Sequence, residues 1–481
     1  MQTINTQFNI KPWLFFAGCI YYGIWIFLNT TVPFSFDYVH LVSYVAQHIY
    51  QSDFHSFITA TEVDTGHPPL IPLLHAIIWK VFGKSLAASH WLMLPFACMA
   101  YYYFLQISSL WLKHNTLYVA ALLFLIFPVT LAQIIYMSPD IALTAFTLGA
   151  IHYWLRKKYL LYYIMLSFIL LTSVRGLPLF AAFFSAGIFL RIKEKRIISL
   201  RLILLYIVAA LPCILWNVYH FKQTGWILGS SNTIWSAHRA FISINHLPIH
   251  IAAFVFRLLE FGGICIWIIV LAMRNNISAS NALQSIYVLL MFTFIFYGLA
   301  ILPFTNPIST RYLLPLFLMG LLIVGNFITT LSKKKSIQVL LIIILIMTGS
   351  VFYIYPDRFI KAAGYSWDCN VISLPYFKTL EKEAQQFLNI TLQNDSAKII
   401  YAGMPFYQST EYTYLKETNT NKAQAWESIE MPVGDYFIES NIMNNITWEQ
   451  KTYLEKNWKL NRKFQSGRLY INIYRNPHLP K

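Results

Sequence analysis

The sequence predicts an α-helical polytopic membrane protein of about 11 transmembrane helices, with a small C-terminal α/β extracytoplasmic domain. Three observations predict it. Of 481 residues, 57% are hydrophobic and only 12% charged, with a mean hydropathy of +0.52; a soluble domain carries about 25% charged residues. The acids are segregated: Asp37, Asp53, Glu62, Asp64, Asp140, Glu194 and Glu260 are the seven before residue 355, and the other thirteen follow it. Eleven apolar runs precede that point, near 13–30, 88–112, 117–135, 138–155, 159–173, 176–190, 201–218, 251–273, 283–303, 312–331 and 337–355. The expected division is therefore 1–355 for the membrane domain and 356–481 for the soluble one.

The first run, from Trp13, lacks a small-residue cleavage site and reads as an uncleaved helix. Leu70–Phe82 is a different case. Its thirteen residues reach roughly 20 Å as a helix against a hydrocarbon core of about 30 Å. If it lies in the interface, Lys11, Lys113, Arg156 to Lys158, the Arg191–Arg201 cluster, Arg274 and Lys333 to Lys335 all fall inside. This is the positive-inside pattern. The outside then holds two large loops, 31–87 and 219–250, with few cations. In the first loop Tyr38–Gln51 has a helical apolar period, so two interfacial helices flank a polar stretch at 52–69.

The membrane part carries 21 Lys+Arg against 7 acids, a net of +14, whereas the tail has 15 against 13, a net of +2. A basic excess beside a bilayer serves topology and anionic lipid; no basic helix or aromatic platform outside it points to nucleic acid. Of five cysteines, Cys19, Cys98, Cys213 and Cys265 sit in apolar runs, and Cys369 stands alone in the tail, with no metal-ligand spacing. Within the tail, "AKIIYAG", "GDYFIES" and "GRLYINIYR" read as strands and "YFKTLEKEAQQFLN" as a helix.

Ionisable residues gather at one interface. Asp37, in "TVPFSFDYVHLVSY", follows the first run; the bland reading is a helix cap, which also fixes a carboxylate rigidly. Asp140, in "MSPDIALTAF", has the same reading, with Ser138 capping and Pro139 in the first turn. "EVDTGHPPLIPLL" holds His67 before a rigid Pro-Pro helix entry, close to Glu62 and Asp64. "TSVRGLPLF" and "STRYLLPLFL" each set an arginine, Arg175 and Arg311, at the outer mouth of a helix. Each is either a snorkelling cation or a phosphate ligand. Arg239 is a further cation of the second outer loop. Arg257 and Glu260, three apart, read as an intramembrane ion pair.

Taken in order, these motifs resemble the GT-C class of glycosyltransferases, with protein O-mannosyltransferases and bacterial aminoarabinose transferases as the nearest groups. The resemblance runs over about residues 10–320: an Asp after the first helix, "HPPL" opening a juxtamembrane helix that ends in "FG", then "SPD", "RGLP" and "RYLLPL". It implies an inverting transfer from a polyprenyl-phosphate sugar to a lipid, glycan or protein acceptor. The reaction would occur at the outer face of a bacterial inner membrane. By the same resemblance Asp37 is the catalytic acid and Asp140 the second acid. It also sets His67 near the sugar and makes Arg175 and Arg311 donor-proximal; Asp64 and Arg239 join them as candidate substrate-binding residues. The family often has two acids in succession in the first loop, whereas Tyr38 follows Asp37 here. That departure favours arginine over a divalent cation at the phosphate and leaves the cation open. Two alternatives are a lipid or solute transporter, which would show repeats, broken helices and buried charge, and an O-antigen ligase or polymerase.

Overall fold

A computed structural model describes residues 11–32, 34, 38–61, 64–112, 114–227, 239–273, 281–305 and 308–331, and in the tail 380, 383, 399–401, 423–425, 435–440, 448–466 and 469–478. Helix α1 (Pro12–Phe27) opens on a proline, whose missing N–H costs nothing in a first turn. A π-helical turn at Val39–Tyr44 leads into α2 (Val45–Gln51), and α3 (Leu70–Phe82) follows the polar stretch. The 31–87 segment thus contains the two expected helices. α3 buries Ile71, His75, Ala76 and Trp79 on one face and exposes Ile77, Val81 and Phe82 on the other, as suits a helix lying in an interface. Trp79 Nε1 donates to Ser89 Oγ (2.8 Å) of α4 (Leu86–Ser108) and ties the two helices together. α1 packs on α4 through Gly18, where a Cβ would lie 2.1 Å from Cε1 of Tyr101.

The run expected at 117–135 is bent by 45° where α5 (His114–Leu125) meets α6 (Pro128–Ile135); Pro128 cannot donate the hydrogen bond that would continue α5. Next come α7 (Pro139–Leu155), α8 (Tyr159–Thr172), α9 (Gly176–Lys193) and α10 (Leu200–Thr224). Every residue of α7 from Pro139 to His152 is buried, and its neighbours are α4, α8 and α14 (Leu314–Leu331). A helix apolar on all sides belongs at the centre. α10, by contrast, exposes Leu204, Ile207, Val208, Leu211, Ile214 and Leu215, the face of a helix at the lipid boundary. It also outlasts the apolar run that ended at 218, stopping at Thr224, where Gly225 adopts φ 78°.

The run at 251–273 was expected as one helix. Instead α11 (Leu247–Leu259) and α12 (Gly263–Ala272) meet at 88°. Phe261 (φ 52°) and Gly262 (φ 85°) both lie in the left-handed region, which ends a right-handed helix. The Arg257–Glu260 ion pair forms as expected, at 2.7 Å and wholly buried, but at a helix end and not within a continuous span. Irregular backbone at such depth requires enclosure by protein, and Phe261 is buried. After this, α13 (Asn281–Ile301) packs along α9.

Among the described residues, four helices are long and apolar enough to cross a membrane: Gly176–Lys193, Leu200–Thr224, Ala282–Ile301 and Thr310–Phe327, or up to six if each bent pair is one span. Pro12–Phe27, Leu70–Phe82 and Tyr159–Thr172 are shorter apolar helices. The expected count of eleven is not reached by that measure, and the run at 337–355 lies outside the described residues.

In the tail, β1 (Ile399–Tyr401), β2 (Ala423–Ala425), β3 (Tyr436–Ser440), β4 (Lys459–Ser466) and β5 (Leu469–Arg475) form a sheet of order β2-β1-β3-β5-β4. β1 is parallel to β2 and β3, and β5 is antiparallel to β3 and β4. All three expected strands are present; the expected helix at 376–389 lies largely outside the described residues. Helix α15 (Trp448–Asn457) covers the sheet, with Leu454 and Trp458 against Phe437 and Tyr474. Glu439 is buried on β3, yet Asn472 (3.0 Å), Tyr474 (3.1 Å), Tyr470 (3.1 Å) and Lys451 (3.0 Å) all reach it. Burial alone would raise its pKa; the hydrogen bonds from Asn472 and Lys451 outweigh that and hold it below the usual value.

A carboxyl with a depressed folded pKa stabilises above its unfolded pKa and loses that contribution as pH falls through the folded one. Glu439→Gln in the full chain should therefore cost about 1–3 kcal/mol at pH 7. The difference from wild type should shrink below about pH 4.3, as read by thermal unfolding of the tail across that range.

Candidate active site

Asp140 begins the central helix. Its amide donates to Ser138 Oγ (3.0 Å), and Ser138 Oγ donates back to Asp140 Oδ2 (2.8 Å). The capping expected from "SPD" is real. Arg175 Nη2 lies 3.0 Å from the other oxygen, Oδ1, and Arg311 Nε lies 3.9 Å from the capped oxygen, Oδ2. All three side chains are nearly shielded from solvent, at 2%, 14% and 4% exposure for Asp140, Arg175 and Arg311. A lone carboxylate at that depth would be expelled or neutralised; two guanidiniums make its burial tolerable.

Aromatic rings hold the arginines. Tyr312 lies 4.4 Å from the Arg175 guanidinium and 5.0 Å from that of Arg311, so one ring serves both. Tyr38 lies 4.6 Å beneath Arg311 and anchors its hydroxyl on Gln133 Oε1 (2.7 Å). Cation–π contact of this kind strengthens as water is removed. The "RGLP" glycine has a steric cause: a Cβ on Gly176 would sit 2.1 Å from the Ile169 carbonyl oxygen. Only glycine lets the chain turn from α8 into α9 at that point and present Arg175.

The segment between α2 and α3 meets this cluster through His67. His67 Nδ1 lies 3.1 Å from Ser173 Oγ, which also accepts from the Arg175 amide (3.3 Å). Enclosure by the surrounding protein, together with the positive charges of Arg175, Arg239 and Arg311, pushes His67 well below its ordinary pKa. The ring is neutral at pH 7. Asp64 turns to the loop itself: Oδ1 accepts from Gly66 N (2.7 Å), and Oδ2 meets His220 Nε2 (3.0 Å) at the end of α10. Arg239 donates to the Thr65 carbonyl. Asp64 and Arg239 thus brace the loop that carries His67. Asp37 and Glu62 lie outside the described residues.

Of the expected site residues, Asp140, Arg175, Arg311 and His67 come together, linked through Ser173. Tyr38, Tyr312, Gln133, Ser173 and His220 were not expected. Tyr38 and Tyr312 adjoin expected residues in sequence, and that adjacency was the available signal. His220 stands 156 positions from Asp64, beyond any local pattern. Among the described residues no group of three His, Cys, Asp or Glu side chains is arranged to hold a metal ion.

The fold matches that of ArnT from Cupriavidus metallidurans bound to undecaprenyl phosphate, with a TM-score of 0.55 at 9% identity over 97% of this chain and 98% of that one. The same enzyme in the apo state gives a TM-score of 0.53 at 9% identity, over 96% and 97%. The chain has the GT-C glycosyltransferase fold. An oligosaccharyltransferase from Archaeoglobus fulgidus, tethered with an acceptor peptide, has a TM-score of 0.40 at 11% identity over 85% of this chain and 64% of that one. No protein-family model matches the chain, and no curated protein matches its sequence. Within the GT-C fold, the Asp140 cluster lies where α7, α9 and α14 begin, at one end of the bundle.

Removing Asp140 withdraws the shared counter-charge of both guanidiniums. Asp140→Ala should cost about 3–5 kcal/mol, seen as a lower unfolding temperature in detergent. Adding Arg175→Met should return part of the loss, since it removes one of the stranded charges. A double variant no more stable than Asp140→Ala would mean the two side chains are not energetically paired.

Proposed function

We propose that this chain is an integral membrane glycosyltransferase. It moves a sugar from a polyprenyl-phosphate donor to a lipid, glycan or protein acceptor at the extracytoplasmic face of a bacterial inner membrane. The observation that carries the reading is the buried pair Arg175 and Arg311, ringed by Tyr312 and Tyr38 and sharing Asp140. It occurs in a chain whose whole length follows the fold of ArnT, a protein solved with undecaprenyl phosphate. Planar guanidiniums suit phosphate oxygens better than any other side chain. The bent helices and the buried Arg257–Glu260 pair are features also expected of a transporter; the end-to-end match to ArnT favours the transferase.

In this mechanism the acceptor oxygen or nitrogen attacks the anomeric carbon while Asp37 takes its proton as general base. The bond from the anomeric carbon to the phosphate oxygen breaks, the configuration inverts, and its electron pair leaves on polyprenyl phosphate. Arg175 and Arg311 stabilise the charge that grows there, in a site already organised before reaction. Neutral His67 can give or accept one hydrogen bond to the sugar or the phosphate. The role of Asp37 is supported by its sequence neighbour Tyr38, whose ring underlies Arg311. Residues 1–355 would carry the reaction and 356–481 form the extracytoplasmic domain.

The tests separate binding from chemistry. Purified chain in detergent should bind undecaprenyl phosphate, and Arg311→Ala should weaken that binding by at least about tenfold, the loss of one charge-assisted contact. Undiminished binding would remove the phosphate role. A panel of polyprenyl-phosphate sugars, scored by release of polyprenyl phosphate, identifies the donor. With that donor, Asp37→Asn should keep binding but lose at least about a hundredfold in transfer; wild-type turnover would exclude it as the base.

A further inference from the structure

The break between α11 and α12 lies against the segment that delivers Arg311. Arg257 Nε donates to the Ile308 carbonyl (2.8 Å), while its Nη1 donates to Glu260 Oε1 (2.7 Å). The other carboxylate oxygen of Glu260 accepts from the Thr310 hydroxyl. One ion pair thus grips the chain at 308 and again at 310, immediately before Arg311. Arg257, Glu260 and Thr310 are all fully buried. A lone ion pair in a helix would need no such arrangement. Here the helix ends at the pair: Glu260 adopts an extended ψ of 162°, and Phe261 follows with φ 52°. A non-glycine residue in that region is held against its preference by surrounding structure.

We propose that Arg257, Glu260 and Thr310 form a strut whose function is to set the position of the Arg311 guanidinium for the donor phosphate. They are positioning residues, acting through Arg311, and the inference rests on the phosphate role given to Arg311 above. Arg311 itself has a long, flexible stem. Its guanidinium is guided at the far end by Tyr38 and Tyr312, so its backbone must be anchored independently if the two rings are to meet it. The strut supplies that anchor from the end of α11. An error of about 1 Å in such a group is enough to cost a large factor in a preorganised site.

The test is the dissociation constant for undecaprenyl phosphate, measured on the full chain in detergent alongside its unfolding temperature. Thr310→Val removes the hydroxyl donor without stranding a charge and should weaken binding about tenfold. Thr310→Ser should restore it. Arg257→Lys keeps charge against Glu260 but loses the fixed contact to Ile308, and should weaken binding in the same direction, so the strut remains testable if Thr310→Val does not accumulate. In an Arg311→Ala background, Thr310→Val should cost nothing further, because the group it positions is gone. Trp267→Phe is the control: it removes the indole bond to the Leu258 carbonyl (2.7 Å) at the same break, and should lower stability with binding unchanged. Wild-type binding by Thr310→Val and Arg257→Lys, while Arg311→Ala is impaired, overturns the strut alone. A Thr310→Val effect that persists in full without Arg311, or an equal effect of Trp267→Phe, also overturns it. Unimpaired binding by Arg311→Ala overturns the phosphate reading, and the strut with it.

Discussion

A buried carboxylate shared by two guanidiniums governs the arrangement of this molecule. Asp140 cannot sit at the head of the central helix without cations, and Arg175 and Arg311 cannot be buried without an anion. Each partner comes from a different helix start, so satisfying the charges forces α7, α9 and α14 to begin at one level. Helix starts are suited to this task. They carry exposed backbone N–H groups and a positive dipole end, both of which favour a carboxylate and a phosphate. The same requirement draws in the first outer loop, because Ser173 contacts both the Arg175 amide and His67.

The loop bracing and the helix break perform comparable tasks at two distances from the cluster. Asp64, His220 and Arg239 secure the backbone around Thr65 and Gly66. Arg257 and Glu260 secure Ile308 and Thr310. In both cases a polar group that would be costly to bury is fully engaged with another segment, and the residue presented by that segment is a neighbour in sequence. The cluster is therefore held in place from its flanks, which suits the electrostatic role proposed for it.

Much of this was legible from residue order. Asp140, Arg175 and Arg311 each stand beside Pro, Gly or Ser punctuation that marks a helix start, and a helix start in an apolar chain is an interface. Thirteen residues at Leu70–Phe82 are too few to span the hydrocarbon core, which gathers the first loop and Asp140 at one end, and His67 and Ser173 are in contact. Three of the five described tail strands, β1, β3 and β5, were legible from alternation, whereas β2 and β4 were not. What escaped was tertiary. Tyr38 was read as a missing acid, because its partner Arg311 enters from the far end of the domain. Asp64 and His220 pair across a separation that no periodicity spans. The 88° bend hides in an unbroken apolar run, because hydropathy averages over Phe261 and Gly262 while φ does not.

The sheathing of α7 carries a consequence for how the chemistry tolerates change. Small residues line its middle: Thr144, Ala145, Thr147, Gly149 and Ala150 are all buried, and a methyl group at Gly149 would come within 2.9 Å of Met165 Sδ and Tyr103 Cε2. With no lipid-facing side to yield, such a helix answers a thicker side chain by shifting as a rod. The displacement would emerge at its head, where Asp140 sits, so the geometry of the Asp140 cluster is set partly by atoms several turns away.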